Sequence, residues 1–185
     1  MAVTPSNMLP LGTTAPDFAL YDTISGQVKS LSDLRGSKGT LIIFMCNHCP
    51  YVIHIKEQLI AVTNHYREQG ISSIGISSND IINYPQDAPD KMTALMAAWD
   101  NPLDAYLYDE TQLVAKDYMA ACTPDLYLFD ADDQCVYRGR LDGSTPGSNV
   151  PLTGEDIRAA MDALLAGEPP LAEQIPSMGC NIKWL

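Results

Sequence analysis

Positive charge is scarce in this chain of 185 residues: eleven Lys and Arg stand against 23 Asp and Glu, for a formal net charge of -12. The eleven are scattered, so no basic stripe exists to neutralise phosphates, and nucleic acid is not expected as a partner. The acidity serves solubility and favours basic or neutral partner surfaces. Long apolar runs are also missing. Residues 1–20 hold no basic segment followed by an apolar stretch, and no run elsewhere approaches membrane-spanning length, so the expectation is a cytoplasmic chain with no membrane partner. An even cysteine count is lacking too. Five cysteines do not close into a disulfide scaffold, and one redox pair among reduced structural thiols fits them better. No internal repeat is visible. What the chain does have is 46% hydrophobic and only 18% charged residues, the balance of one packed domain at this length.

Residues 1–16 are rich in Pro, Ser, Thr and Gly and predict an irregular lead-in. Phe18 to Tyr21 and Gly26 to Leu31 flank a turn and predict a hairpin, followed by one helical turn over Ser32 to Gly36. Thr40 to Met45 (TLIIFM) is a short apolar run bounded by Gly39, as expected for a strand buried on both faces. Val52, Ile55, Leu59, Val62 and Tyr66 then recur at helical spacing until Gly70, and Ile71 to Ser77 resumes a strand, giving a β-α-β unit. Asn79 to Pro89 is a loop, and Asp90 to Trp99 predicts an inserted helix able to form one wall of a cleft. A strand over Ala105 to Tyr108 and a helix over roughly 110–119 follow. Asp125 to Phe129 and Cys135 to Leu141 predict an antiparallel hairpin, Thr153 opens a last helix ended by Gly167, and residues 168–185 are a tail.

The chemistry concentrates in Cys46-Asn47-His48-Cys49-Pro50, where the buried strand hands over to the first long helix. Unpaired amides and the helix dipole favour a thiolate at an exposed helix N-terminus, so Cys46 is the expected nucleophile. Cys49, one helical step further in, is placed to resolve a mixed disulfide on Cys46. Pro50 suits a first helical turn, and Asn47 is a candidate cap. His48 either stabilises the Cys46 thiolate and makes the couple more oxidising, or is a solvated loop residue that tunes nothing.

This pattern resembles the thioredoxin superfamily, and within it the thioredoxin-like, AhpC/TSA (peroxiredoxin-related) redoxin branch. The resemblance runs over residues 11–166. Its carriers are Gly12 to Phe18, Leu31 to Gly36, the strand with Cys46 to Pro50, and Thr123-Pro124-Asp125 before the apolar strand Leu126 to Phe129. It implies an α/β thioredoxin-like fold: a central mixed sheet flanked by helices, with an N-terminal hairpin and an inserted helix. The domain would span 17–166, with a lead-in over 1–16 and a tail over 167–185. It further implies that Pro124 is a cis proline beside the dithiol and that Thr123 offers backbone groups to a bound substrate. A trans proline opening a strand is the plainer alternative. Two family features are lacking. Ile43 stands where peroxiredoxins carry a Thr three residues before the reactive cysteine, which disfavours a direct peroxidase. Met45 and an uncharged TLIIFM replace the Trp and buried carboxylate of thioredoxins, so deprotonation of Cys49 would fall to His48 or to a residue distant in sequence.

The expected function is therefore a thiol-disulfide oxidoreductase acting on protein or small-molecule disulfides, supplied by an upstream thiol reductase and needing no cofactor. One alternative is a thiol-dependent peroxidase, acting on a peroxide. A second is zinc or copper binding through Cys46, His48, Cys49 and His54. A third is a binding module with structural cysteines. Cys122 either approaches the dithiol or is a small buried hydrophobe, and Cys135 is structural. Cys180 either folds back to exchange with the active pair or is an exposed, idle thiol. Arg138 and Arg140 either stabilise a thiolate or peroxide or are solvated charges.

Overall fold

The computed structural model of the protein describes residues 3–185. A short strand, β1 (Val3–Pro5), lies within the lead-in. The hairpin follows as β2 (Ala19–Asp22) and β3 (Gln27–Ser30). Its turn is held by the Asp22 carboxylate, which accepts from the amides of Ile24 and Ser25. Ser30 then caps α1 (Leu31–Leu34): its hydroxyl accepts from the Asp33 amide while the Asp33 carboxylate accepts from the Ser30 amide. Two donors that a helix start leaves unpaired are thereby satisfied.

The TLIIFM run becomes β4 (Gly39–Phe44), with all six residues buried. It pairs in parallel with β5 (Ile71–Ser77), and the crossover between them is α2 (Pro50–Arg67), which starts on a proline that has no amide to leave unsatisfied. Beyond β5 come a 3-10 turn (Pro85–Asp87), the inserted helix α3 (Pro89–Ala98), β6 (Ala105–Tyr108) and α4 (Leu113–Asp117). The last elements are β7 (Cys122–Thr123), β8 (Asp125–Asp130), β9 (Cys135–Gly139), α5 (Glu155–Leu165) and β10 (Met178–Asn181). A seven-stranded mixed sheet runs in the order β3-β2-β6-β5-β4-β8-β9. The three central strands β4, β5 and β6 are parallel, and the flanking pairs are antiparallel.

Alternation along β4 divides the core between the two faces of this sheet. Leu41, Ile43 and Met45 join Val52, Ile55, Leu59 and Val62 of α2 in one cluster, while Ile42 and Phe44 pack with Tyr118, Tyr127 and Phe129 in the other. Each such side chain, removed from water, contributes roughly 1.5–3 kcal/mol. The strand is thus a rigid anchor at whose C-terminal end the cysteine motif hangs, and Cys46 and Cys49 both belong to the α2-side cluster.

Three boundaries differ from expectation. Helix α4 is shorter than residues 110–119, because Gln112 and Met119 take left-handed φ values of 61° and 56° at its two ends. Strand β9 stops at Gly139, where the chain from Ile175 crosses so closely that a Cβ would stand 2.4 Å from the Ile175 carbonyl oxygen. The third concerns the ends of the chain. Residues 167–185 do not trail from the domain, since β10 is the middle strand of a second, three-stranded sheet, β1-β10-β7. Cys180 and Ile182 are buried there, the Asp80 amide donates to the Lys183 carbonyl, and the Lys183 amide donates to Asn79 Oδ1. The β1 segment, expected to be irregular, is the other edge of that sheet. Three strands of two to four residues carry too little periodicity to be legible, and their pairing joins positions up to 177 residues apart.

Candidate active site

Cys46 follows the last buried residues of β4, and Cys49 is the residue that precedes the first turn of α2, with Pro50 inside it. Both are buried, at 1% and 0% exposure. The expected exposed cysteine at the helix N-terminus is therefore not what forms: Cys46 lies four residues upstream of the helix start, in a closed turn. Asn47 does not cap the helix either. Its side-chain amide donates to the Gln86 carbonyl, and its Oδ1 accepts from the Tyr106 hydroxyl.

The turn is closed by Asp87, a residue 40 positions away that sequence reasoning did not single out. Its carboxylate is wholly buried and accepts from the Asn47 amide at 2.8 Å, the His48 amide at 3.3 Å and the Asn79 side chain at 2.9 Å. His48 Nδ1 lies 2.7 Å from Asp87 Oδ2 and 3.9 Å from Cys46 Sγ. The imidazole also stacks on Tyr84, with centroids 5.5 Å apart and planes 8° from parallel, and Lys183 Nζ sits over the far partner at 5.6 Å. Of the two readings of His48, the solvated loop residue is the one this geometry does not support. Burial works to raise Asp87, but hydrogen bonds from His48 and Asn79, the His48 charge and the Asn47 amide outweigh it and hold the carboxyl below its ordinary value. Asp87 is an anion beneath the motif. Nothing in its local sequence distinguishes it from the other acidic residues; only the loop between β5 and α3 carries it there.

The two sulfurs are both brought against Thr123 and interact with each other. That interaction, then burial, then the Asp87 charge push the Cys46 thiol up, and the same interaction pulls Cys49 down. The Cys49 thiol also donates to the Thr123 carbonyl at 3.1 Å, which favours its protonated form. The pair accordingly titrates as a unit and not as two independent thiols.

Thr123 touches both cysteines, since its Oγ1 stands 3.7 Å from Cys46 Sγ. The Thr123-Pro124 peptide bond is cis. Thr123 is itself buried and pairs across β7 and β10 with Cys180, so the backbone expected to meet a substrate is occupied by the chain's own C-terminal strand. Gly179 makes this possible: a Cβ there would stand 2.0 Å from the Thr123 carbonyl oxygen, so only glycine lets the strands approach. Pro124 instead lines a cleft of about 100 Å³ with Tyr51, His54, Arg140, Ser144 and Met178.

The other candidates fall into place around this centre. Cys180 is buried rather than exposed, at 3%, in the same cluster as Cys46 and Cys49, and interacts with Cys49. Cys122 is buried next to β10, its thiol donating weakly to the Pro124 carbonyl, and burial with the Asp125 charge pushes it up. Cys135 is buried in β9 away from the motif and raised by burial to about 11. Arg138 is held by the Leu9 carbonyl and Gln174, and Arg140 by Asp156 at 2.6 Å, so both guanidinium groups are committed away from the sulfurs. His54 Nε2 bonds Ser144 at 2.8 Å, and the set Cys46, His48, Cys49 and His54 is not assembled. Cys46, His48 and Asp87 do bring donor atoms within 4.8 Å of one another, a spacing that an ion could bridge. Both Asp87 oxygens, however, are already used by four protein donors, so the hydrogen-bonded network accounts for this cluster without an ion.

A mixed sheet with α2 crossing from β4 to β5, a dithiol at the strand-helix junction and a cis proline opposite define the thioredoxin-like fold. Within that class the chain belongs to the Redoxin family, whose model matches residues 10–156. It is thus a thioredoxin-like redox protein. It is similar to an uncharacterized conserved protein of Geobacillus kaustophilus, with 51% identity over 100% of this chain and 97% of that one and a TM-score of 0.97. It is also similar to a hypothetical protein of Sinorhizobium meliloti 1021, with 41% identity over 98% of both chains and a TM-score of 0.94. The thioredoxin domain of a thiol-disulfide oxidoreductase from Bacteroides vulgatus shares the fold at 16% identity, covering 82% of this chain and 98% of that one with a TM-score of 0.62. No curated protein matches the chain.

Proposed function

We propose that the protein is a thiol-disulfide oxidoreductase whose working pair is Cys46 and Cys49. The observation that carries this reading is the pair itself: two buried sulfurs in contact with one residue, Thr123, at the end of a strand buried along its whole length. Cys46 is the attacking sulfur because it lies toward half-buried His48, whereas Cys49 faces the Thr123 carbonyl and Cys180. The Cys46 sulfur gives up its proton as it attacks and displaces one sulfur of a partner disulfide, forming a mixed disulfide. Cys49 then attacks Cys46, gives up its proton and releases the partner as a dithiol. An external dithiol reductase restores the pair. No organic cofactor is required, since the two thiols carry both electrons.

His48 and Asp87 act as a positioning dyad: the carboxylate fixes the imidazole beside Cys46, and the ring can carry a proton to or from the shared pair. The cleft beside Pro124 is the wall on which a partner chain would lie. A peroxidase reading is less favoured, because the Ile43 position offers no hydroxyl and both nearby arginines are engaged elsewhere. The odd cysteine count suits a reducing compartment, and we place the protein in the cytoplasm.

Titration against glutathione buffers, with thiol-labelling mass spectrometry reading each cysteine, tests the proposal. A Cys46-Cys49 disulfide should form as one two-electron couple between roughly -270 and -120 mV, the span of dithiol catalysts. Absence of that disulfide, or labelling that proceeds only after a chelator is added, would instead favour metal binding at Cys46, His48 and Asp87.

A further inference from the structure

Three of the five cysteines converge on one residue. Thr123 receives the Cys49 thiol on its carbonyl, approaches Cys46 with its hydroxyl, and is the cross-strand partner of Cys180. Residues directly opposite in an antiparallel pair have their Cα atoms about 4.5–5.5 Å apart, so the register brings Cys180 to Thr123, the residue that both thiols of the dithiol contact. Gly179 has no side chain to hold β10 away from the Thr123 carbonyl. Cys46, Cys49 and Cys180 then bury together in a single cluster.

We infer that Cys180 is a second resolving thiol, which takes over the disulfide from Cys46 to give a Cys49-Cys180 bond within the oxidised chain. This rests on the dithiol reading above. The Cys180 sulfur attacks Cys49 in the Cys46-Cys49 disulfide. The Cys49-Cys180 bond forms, the Cys46-Cys49 bond breaks, and the proton lost by Cys180 passes to the departing Cys46 sulfur. The exchange is redox-neutral: the two oxidising equivalents stay in the chain, and Cys46 is again a free thiol. An external dithiol, the same chemical class that the proposed cycle already requires, reduces the new bond and becomes a disulfide itself.

The chemistry around Cys180 suits a late role. Burial, and after it the neighbouring Cys49, push its thiol up to about 11, so it does not compete for the first proton of the pair. Cys122 also lies nearby, but it is on the Thr123 side of the sheet with its thiol turned to the Pro124 and Ser177 carbonyls. The order of attack is therefore Cys49 on Cys46, then Cys180 on Cys49.

Tryptic mapping of the oxidised full-length protein tests the inference directly. Trypsin places Cys46 and Cys49 in one peptide, residues 39–56, and Cys180 in another, residues 159–183. After one equivalent of diamide and acid trapping, the unmodified chain should yield the 39–56 peptide both internally bonded and linked to 159–183, in amounts within about tenfold of each other. C46S, which leaves Cys49 only Cys180 as partner, should convert to the linked form almost completely, and C180S should lose the linked peptide altogether. If the unmodified chain gives only the internal bond, the inference is overturned while the dithiol reading stands. A link from 39–56 to residues 117–138, which carry Cys122 and Cys135, would equally overturn it. If the internal Cys46-Cys49 bond never forms, the proposed function itself fails, and the inference with it. The measurement on the unmodified chain decides the matter even where a variant does not fold.

Discussion

At the scale of single residues, the site is governed by a charge that the motif does not contain. Asp87 holds the Asn47 and His48 amides and the imidazole, but its negative charge also opposes ionisation of Cys46. Asp87→Asn keeps a side chain of the same shape while removing that charge. The reduced, ionised pair should gain stability, and the potential should rise by on the order of 30 mV, the equivalent of one pKa unit. Redox titration of the variant beside the parent checks this, and an unchanged or lower potential would show that the carboxylate acts only as a tether. Cys46 and Cys49 were legible as candidates because a C-x-x-C after an apolar run is a local pattern, and Thr123 and Pro124 were reached through the family resemblance. Asp87, Asn79 and Tyr84 were not, because their role depends on where a loop is carried and nothing in their own neighbourhood specifies it.

At the scale of elements, strand β8 begins with a second buried acid. Asp125 accepts the Tyr127 hydroxyl at 2.8 Å, while its Oδ1 has no hydrogen-bond partner among the described residues, and burial pushes its carboxyl up to about 7. The folded state therefore holds this proton more tightly than the unfolded chain does. Its stabilising contribution is complete below pH 4 and is lost as pH rises through 7, by at most about 4 kcal/mol for a shift of some three units. Urea unfolding between pH 4 and 8 should show this decline in the parent, and Asp125→Asn should flatten it. Equal slopes in the two proteins would mean that the carboxyl is solvated in solution. The same scale shows why β7 and β10 escaped the sequence reading while β4, α2 and β5 did not. A six-residue apolar strand and an 18-residue helix repeat their pattern several times, whereas a two-residue strand has no period to detect.

At the scale of the whole molecule, the excess of acid groups sets the field that a partner meets. A net charge of -12 should draw in disulfides flanked by Lys and repel those flanked by Glu. Reduction of two otherwise identical peptide disulfides should then differ by roughly tenfold in rate at ~0.01 M salt and converge near ~1 M, where the screening length falls to about 3 Å. A difference that persists at high salt would locate the preference in the cleft rather than in the overall field.

The sequence by itself determined the framework and the cysteine motif at its junction. Apolar periodicity drives β4, α2 and β5 to their places whatever surrounds them, and the motif at their junction travels with them. The tertiary structure alone decided the environment of the sulfurs: the Asp87 anion beneath the turn, the burial of Cys46, and the strand that delivers Cys180 to Thr123. These depend on contacts between segments 40 to 177 residues apart. Their energies come from pairing and burial across the fold, and no stretch of neighbouring residues encodes them.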